Sequence, residues 1–167
     1  ASALAVAAFF VVFTDYGMNL TATRVVAICR EDRDALSRLF SSVMVLKLAF
    51  LVIGAVILRL LLFRIESWNQ HAAVFWGAYT VVIGQALFPL WLYQGLERTG
   101  SLTVVSSAVR IFFTLGVFVL VRAPRDVFWI PALQGLGGIV SGILAWWIAR
   151  RSIGLRWALP QKILVMR

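Results

Sequence analysis

Three ionisable side chains, Asp15, Lys47 and Arg110, stand inside otherwise apolar stretches of a 167-residue chain. Such groups can hold an anion, pass a proton or neutralise one another. Each costs about 2.5–3.5 kcal/mol at the centre of a membrane helix and so tends to face a cavity or a partner. Much other chemistry is excluded at once. His71 is the only histidine and Cys29 the only cysteine, so a zinc site, a histidine-based triad and an intramolecular disulfide all lack their groups. No metal or cofactor is expected.

Around these charges the residue spacing forms a pattern. Thr103, Ser107, Arg110 and Thr114 recur by four, three and four, which places them on one helical stripe while Val, Ile, Phe and Leu fill most of the remaining surface. Asp15 and Asn19 lie one turn apart, with Thr23 another turn on. Thr80, Gly84, Leu87, Trp91 and Gln94 share a face that leads to Arg98. Pro89, in mid-helix, is predicted to kink the chain and free a carbonyl, as a hinge or a cavity wall would need. Lys47 has apolar helical neighbours, so it either joins the polar layer or snorkels along its stem. Gln85 reads as a bridge between helices.

The elements that position these groups follow from composition. The chain is 62% hydrophobic and 14% charged, with mean hydropathy +0.92, against roughly 45–50% apolar and 25% charged in soluble domains. Spanning a bilayer takes about 20 predominantly apolar residues. Residues 1–23, 39–63, 72–96, 99–121 and 127–149 qualify, so the expected fold is all-α: a single membrane domain over 1–167 with five spans. Measured from the end at which each meets Arg24, Leu39 or Thr99, Asp15, Lys47 and Arg110 lie at depths of about 13, 12 and 16 Å, which is one layer near mid-membrane. An ion pair between Asp15 and Arg110 is one reading of that layer. A water-filled cavity around an anion is the other.

The basic residues orient the spans. Arg24, Arg30, Arg33, Arg38, Arg98, Arg150, Arg151, Arg156, Lys162 and Arg167 fall on one side, and Arg59, Arg64, Arg122 and Arg125 on the other. The richer side is assigned to the cytoplasm, which makes 24–38, 97–98 and 150–167 cytoplasmic connectors and explains the net charge of +9 without nucleic acid. Trp68, Trp76, Trp129, Trp146 and Trp147 fall near the expected interfaces. Residues 28–37 read as a solvated polar loop. In the last span the Gly138-x-x-x-Gly142 spacing allows close helix approach. The chain opens on Ala1 within an apolar run and closes on a basic, Pro-interrupted stretch, so further protein is expected beyond both ends.

Two segments carry a family likeness. Asp15-Tyr16-Gly17-Met18-Asn19-Leu20-Thr21-Ala22-Thr23-Arg24, followed by Arg33-Asp34 and Leu36-Ser37, resembles the second-helix motif of bacterial polysaccharide-unit flippases, the Wzx-type O-antigen transporters of the multidrug/oligosaccharidyl-lipid/polysaccharide exporter superfamily. Leu87-Phe88-Pro89-Leu90-Trp91-Leu92-Tyr93-Gln94-Gly95-Leu96-Glu97 is similar to that family's fourth-helix ending. The resemblance makes the chain helices two to six of an amino-terminal bundle. It implies a partner carboxy-terminal bundle of the same protein, surrounding membrane lipid, and alternating access about a central cavity. The implied cargo is an undecaprenyl-pyrophosphate-linked oligosaccharide crossing the bacterial inner membrane. Arg110, Arg24 and Lys47 then suit the pyrophosphate, Asn19, Gln94 and Trp91 the sugars, Asp15 a coupling ion or a counter-charge, and Pro89 a hinge. A drug/cation antiporter of the same superfamily, with Asp15 as coupling site, and a non-transporting assembly subunit are the alternatives. A membrane enzyme on the same carrier lipid would need a longer external loop than 64–71 or 122–126.

Overall fold

The computed structural model describes residues 2–15, 17–121 and 128–155, with Ser101 described by its backbone only. The sequence expectations for Tyr16, Arg122, Arg125, Arg156, Lys162, Arg167 and the greater part of the 150–167 connector lie outside the described residues. Among those described, every regular element is a helix: α1 (Ser2–Asp15), α2 (Met18–Ile28), α3 (Arg33–Arg64), α4 (Glu66–Asn69), α5 (Ala72–Leu87), α6 (Leu90–Gly95), α7 (Thr99–Leu120) and α8 (Trp129–Ile153). Five stretches are long and apolar enough to cross a membrane, namely α1 with α2, α3, α5 with α6, most of α7, and α8. The fold is an all-α polytopic bundle.

Two of the five stretches are broken, each for a local reason. Gly17 separates α1 from α2 at φ 71°, a left-handed conformation that costs an L side chain about 1–2 kcal/mol. This break was not expected from the Asp15–Asn19 spacing, which fits an unbroken turn. The interruption expected at Pro89 is present: α5 ends at Leu87, Phe88 is extended, and the backbone resumes with Leu92 N–H donating to the Pro89 carbonyl at 3.1 Å.

The second span starts earlier than its hydropathy suggests. The Asp32 carboxylate accepts from the N–H groups of Asp34 and Ala35, both at 2.9 Å, and so caps α3 at Arg33. Residues 33–37, read from the sequence as loop, are therefore helix, and the connector shrinks to 29–32. At about 48 Å, α3 is longer than a ~30 Å hydrocarbon core, so its ends carry Arg33, Asp34 and Arg64 beyond it.

α5 is the centre of the bundle. On one side α1 and α3 pack against it through Phe10, Leu51 and Tyr79, whose hydroxyl donates to the Leu51 carbonyl at 2.6 Å. On the other side α8 lies close enough that a Cβ on Gly84 would meet the Gly138 backbone at 2.9 Å, while one on Gly142 would meet Leu87 at 3.1 Å. The Gly138–Gly142 spacing is spent on this internal seam, as small-residue packing in membranes requires. α7 rests on α8, with Phe113 against Gly137. α2 rests on α6, where Gly95 leaves room for Val26 and the Thr23 carbonyl. A second cluster, around Phe40, Trp91, Leu92 and Tyr93, closes the bundle near the α2–α6 pair, and the Tyr93 hydroxyl donates to the Ala145 carbonyl at 2.6 Å.

Candidate functional site

Two polar centres form on opposite sides of α5, the first largely buried and the second lined by exposed polar residues. The first spans the break in the first membrane stretch. Lys47, reaching from α3, donates to Asp15 Oδ1 at 2.8 Å and to Asn19 Oδ1 at 3.3 Å, and Asn19 Nδ2 donates to Asp15 Oδ2 at 3.0 Å. The Lys47 side chain is 2% exposed and that of Asp15 29%. A buried charge is tolerated when it is paired and its hydrogen-bonding capacity is used, and here one ammonium holds both the last residue of α1 and the first full turn of α2. Thr23, one turn further along α2, donates to the Asn19 carbonyl at 2.6 Å and to the Trp91 carbonyl at 3.3 Å, which ties this centre to α6.

The second centre is a cavity of about 350 Å³ between α5, α7 and α8, lined by Val81, Gly84, Gln85, Phe88, Arg110, Phe113, Thr114, Val117, Phe118, Ile130, Gln134, Gly137 and Gly138. Its size falls within the roughly 300–1,000 Å³ of small-molecule sites, and its composition is that of one too: mostly apolar walls with a few convergent polar groups. Arg110, Thr114, Gln85 and Gln134 are all exposed and supply those groups. Among the described residues no carboxylate lies within 4.0 Å of the Arg110 guanidinium. The glycines of the α5–α8 seam keep the cavity floor free of side chains, and Phe88, at the Pro89 break, forms its wall at one end.

The expected site residues thus divide. Asp15, Asn19 and Lys47 meet one another, and Asp15 pairs with Lys47 rather than with Arg110. The polar stripe of Thr103, Ser107, Arg110 and Thr114 lies along the exposed side of α7, with Arg110 and Thr114 at the cavity. Trp91 is 0% exposed, its ring beside Phe40 at 6.0 Å, so its indole faces the core and not a cavity. Gln94 is exposed on α6 and Arg24 on α2, neither of them at the Arg110 cavity. The face expected to run from Thr80 to Gln94 is cut at Phe88–Pro89. Gln85 lines the cavity. Gln134 escaped notice in the sequence, although it is the one strongly polar side chain in the apolar part of α8 besides the hydroxyl of Ser141.

The sequence pattern of the polysaccharide biosynthesis protein family matches residues 1–165. The chain belongs to that family. A protein of Escherichia coli (strain K12) named "Putative O-antigen transporter" is 28% identical over 137 residues, covering 82% of this chain and 33% of its own length. A protein of the same name from Shigella dysenteriae is 24% identical over 139 residues, covering 83% of this chain and 34% of its own. The chain therefore spans about a third of the length of these curated relatives. No solved structure matches it significantly. Membership of this family, with five stretches of spanning length among the described residues, makes it a multi-pass membrane protein.

Proposed function

We propose that this chain works in translocating an undecaprenyl-pyrophosphate-linked oligosaccharide repeat unit across the bacterial inner membrane by alternating access, with Arg110 holding the pyrophosphate. The observation that carries the reading is the unequal fate of the three mid-span charges. Lys47 and Asp15 neutralise each other, whereas Arg110 stands at a mostly apolar cavity, beside Gln85, Thr114 and Gln134, without a carboxylate partner among the described residues. An uncompensated guanidinium at that depth is costly unless an anion visits it, and a planar fork of donors suits phosphate oxygens. Gln85, Gln134 and Thr114 add hydrogen-bonding groups for sugar hydroxyls.

The other residues take supporting parts. Lys47 and Asn19 act on the shape of the first span, through Asp15. Arg24 and Gln94 belong to the approach from the cytoplasmic side, which the excess of arginine in 24–38, 97–98 and 150–155 assigns to that end of the bundle. Trp91 supports α6 from within the core. The Phe88–Pro89 break lets α5 and α6 change their angle and serves as the hinge at one end of the cavity. A second bundle of the same protein completes the cavity. No covalent step is involved. The reading as a cation antiporter needs Asp15 as an available carboxylate, and its bond to Lys47 speaks against that.

The test is export. Arg110→Ala and Arg110→Lys are made in the protein as its host expresses it, and surface polysaccharide is followed at matched protein levels. The Ala form is expected to lose about tenfold or more of the export rate and the Lys form to keep part of it. Normal export by Arg110→Ala would end the proposal.

A further inference from the structure

On the side of the α5–α8 seam opposite the Arg110 cavity, a second cleft of about 180 Å³ runs between α3, α5 and α8. Its walls are almost wholly apolar: Phe40, Met44 and Leu48 from α3, Leu87 from α5, and Ile143 and Trp146 from α8. Gly142 also lines the cleft, at the point where its missing side chain lets α8 close on Leu87. The cleft does not end in apolar surface. Arg150, one turn beyond Trp146 on the same face of α8, lays its guanidinium over the Trp146 ring at 5.8 Å. Arg33 continues the Phe40–Met44–Leu48 face of α3 seven residues earlier, and its guanidinium reaches the end of α8, within 3.6 Å of where a Cβ on Gly154 would stand. Both arginines are exposed, and among the described residues neither has a carboxylate within 4.0 Å.

An apolar cleft continued on two of its helix faces by exposed guanidiniums, with no carboxylate partner among the described residues, has the shape and polarity of one molecule, a lipid with a phosphate head and a hydrocarbon tail. We infer that this cleft is a binding site for an anionic membrane phospholipid, its phosphate between Arg33 and Arg150 and one acyl chain along Phe40, Met44, Leu48, Ile143 and Trp146. The charge complementarity selects an anionic head. The position selects a resident lipid over a transported one. The seam formed by Gly84 with Gly138 and Leu87 with Gly142 separates this cleft from the Arg110 cavity, and the cleft involves α3, which that cavity does not touch. The stacking of Arg150 on Trp146 holds the cation at the level where the apolar cleft ends.

The test is lipid retention by the full chain, purified in mixed micelles and weighed by native mass spectrometry with dioleoyl phosphatidylglycerol, dioleoyl phosphatidylcholine, undecaprenyl phosphate or inorganic phosphate. One phosphatidylglycerol per chain is expected to survive delipidation, with phosphatidylcholine retained at least about tenfold less. The pair Arg33→Gln and Arg150→Gln should lower phosphatidylglycerol retention by about tenfold or more, while Arg59→Gln with Arg64→Gln at the other end of α3 should leave it unchanged. Far-UV circular dichroism establishes that each variant is folded. Met44→Trp, which fills the cleft and keeps both arginines, provides a second route to the same loss. Equal retention of the two phospholipids, or retention unaffected by both the arginine pair and Met44→Trp, overturns the inference. So does preferential binding of undecaprenyl phosphate, which would make the cleft part of the transport route. Inorganic phosphate bound as firmly as the lipid would contradict the acyl-chain part.

Discussion

Removing the Lys47 charge tests how the first span is held. Lys47→Met keeps the length of the stem but leaves the Asp15 carboxylate beside the Gly17 break with Asn19 as its remaining partner. Stripping one member from a fully buried pair costs about 3–5 kcal/mol. Asp15 is 29% exposed and keeps the 3.0 Å bond from Asn19, so the expected loss is smaller, about 2–3 kcal/mol. Asp15→Asn strands an ammonium that is only 2% exposed and should cost about 3 kcal/mol or more. In the double variant neither charge is left unpaired, so its cost should fall short of the sum by about 2–3 kcal/mol. Reversible unfolding in detergent micelles, followed by circular dichroism, measures each corner of the cycle. Additivity to within about 0.5 kcal/mol would refute the assignment of the pair. The same cycle on Asp15→Asn and Arg110→Gln is expected to be additive, because Arg110 lies on the other side of α5.

Three further outcomes follow from backbone and packing. Gly135→Ala places a methyl group against the Thr80 backbone and hydroxyl, so it should destabilise the bundle by about 1–3 kcal/mol in the same unfolding assay, while Gly116→Ala, in open space, should not destabilise it. Gly17→Ala meets nothing within 4 Å but must adopt φ 71°, which should cost about 1–2 kcal/mol through strain alone, with Gly17→Asn closer to wild type. Glu97 closes α6 in a left-handed turn at φ 56°, with Glu97 N–H bonded to the Gln94 carbonyl and Arg98 N–H to that of Tyr93; glycine is favoured at that position, so Glu97→Gly should raise stability by about 0.5–1 kcal/mol. A fall in stability on that change would mean that the carboxylate makes an essential contact.

Much of the architecture was legible because a bilayer leaves few solutions: apolar runs of sufficient length become helices, and an ionisable residue within one must be accommodated. That Asp15 and Lys47 stand at one level followed from residue counts, and the stripe around Arg110 from helical spacing. Which charges meet was not legible. Pairing depends on the rotation of each helix about its own axis, and the rotations of α1 and α3 are set by Phe10, Leu51 and Tyr79 packing against α5. The Gly17 break escaped because Asp15 and Asn19 have helical spacing and remain in contact across it. One continuous face over the third span would make Trp91 a sugar platform; α5 and α6 are separate helices, broken at Phe88–Pro89, and the indole lies in the core. Gln134 was hidden among glycines that read simply as packing residues. The start of α3 had a signal in Asp32, two and three residues before the amides it caps, but the surrounding charges suggested a loop.

What enters the Arg110 cavity decides how the bundle works. A photoreactive amino acid at Gln134, inside the cavity, and another at Leu60, on the exposed side of α3, would each be activated in cells making the lipid-linked oligosaccharide. A crosslink to the pyrophosphate-linked sugar is expected from position 134, none from position 60, and its loss when Arg110→Ala is added. No crosslink at 134, or one that persists without the guanidinium, would contradict the placing of the pyrophosphate at Arg110.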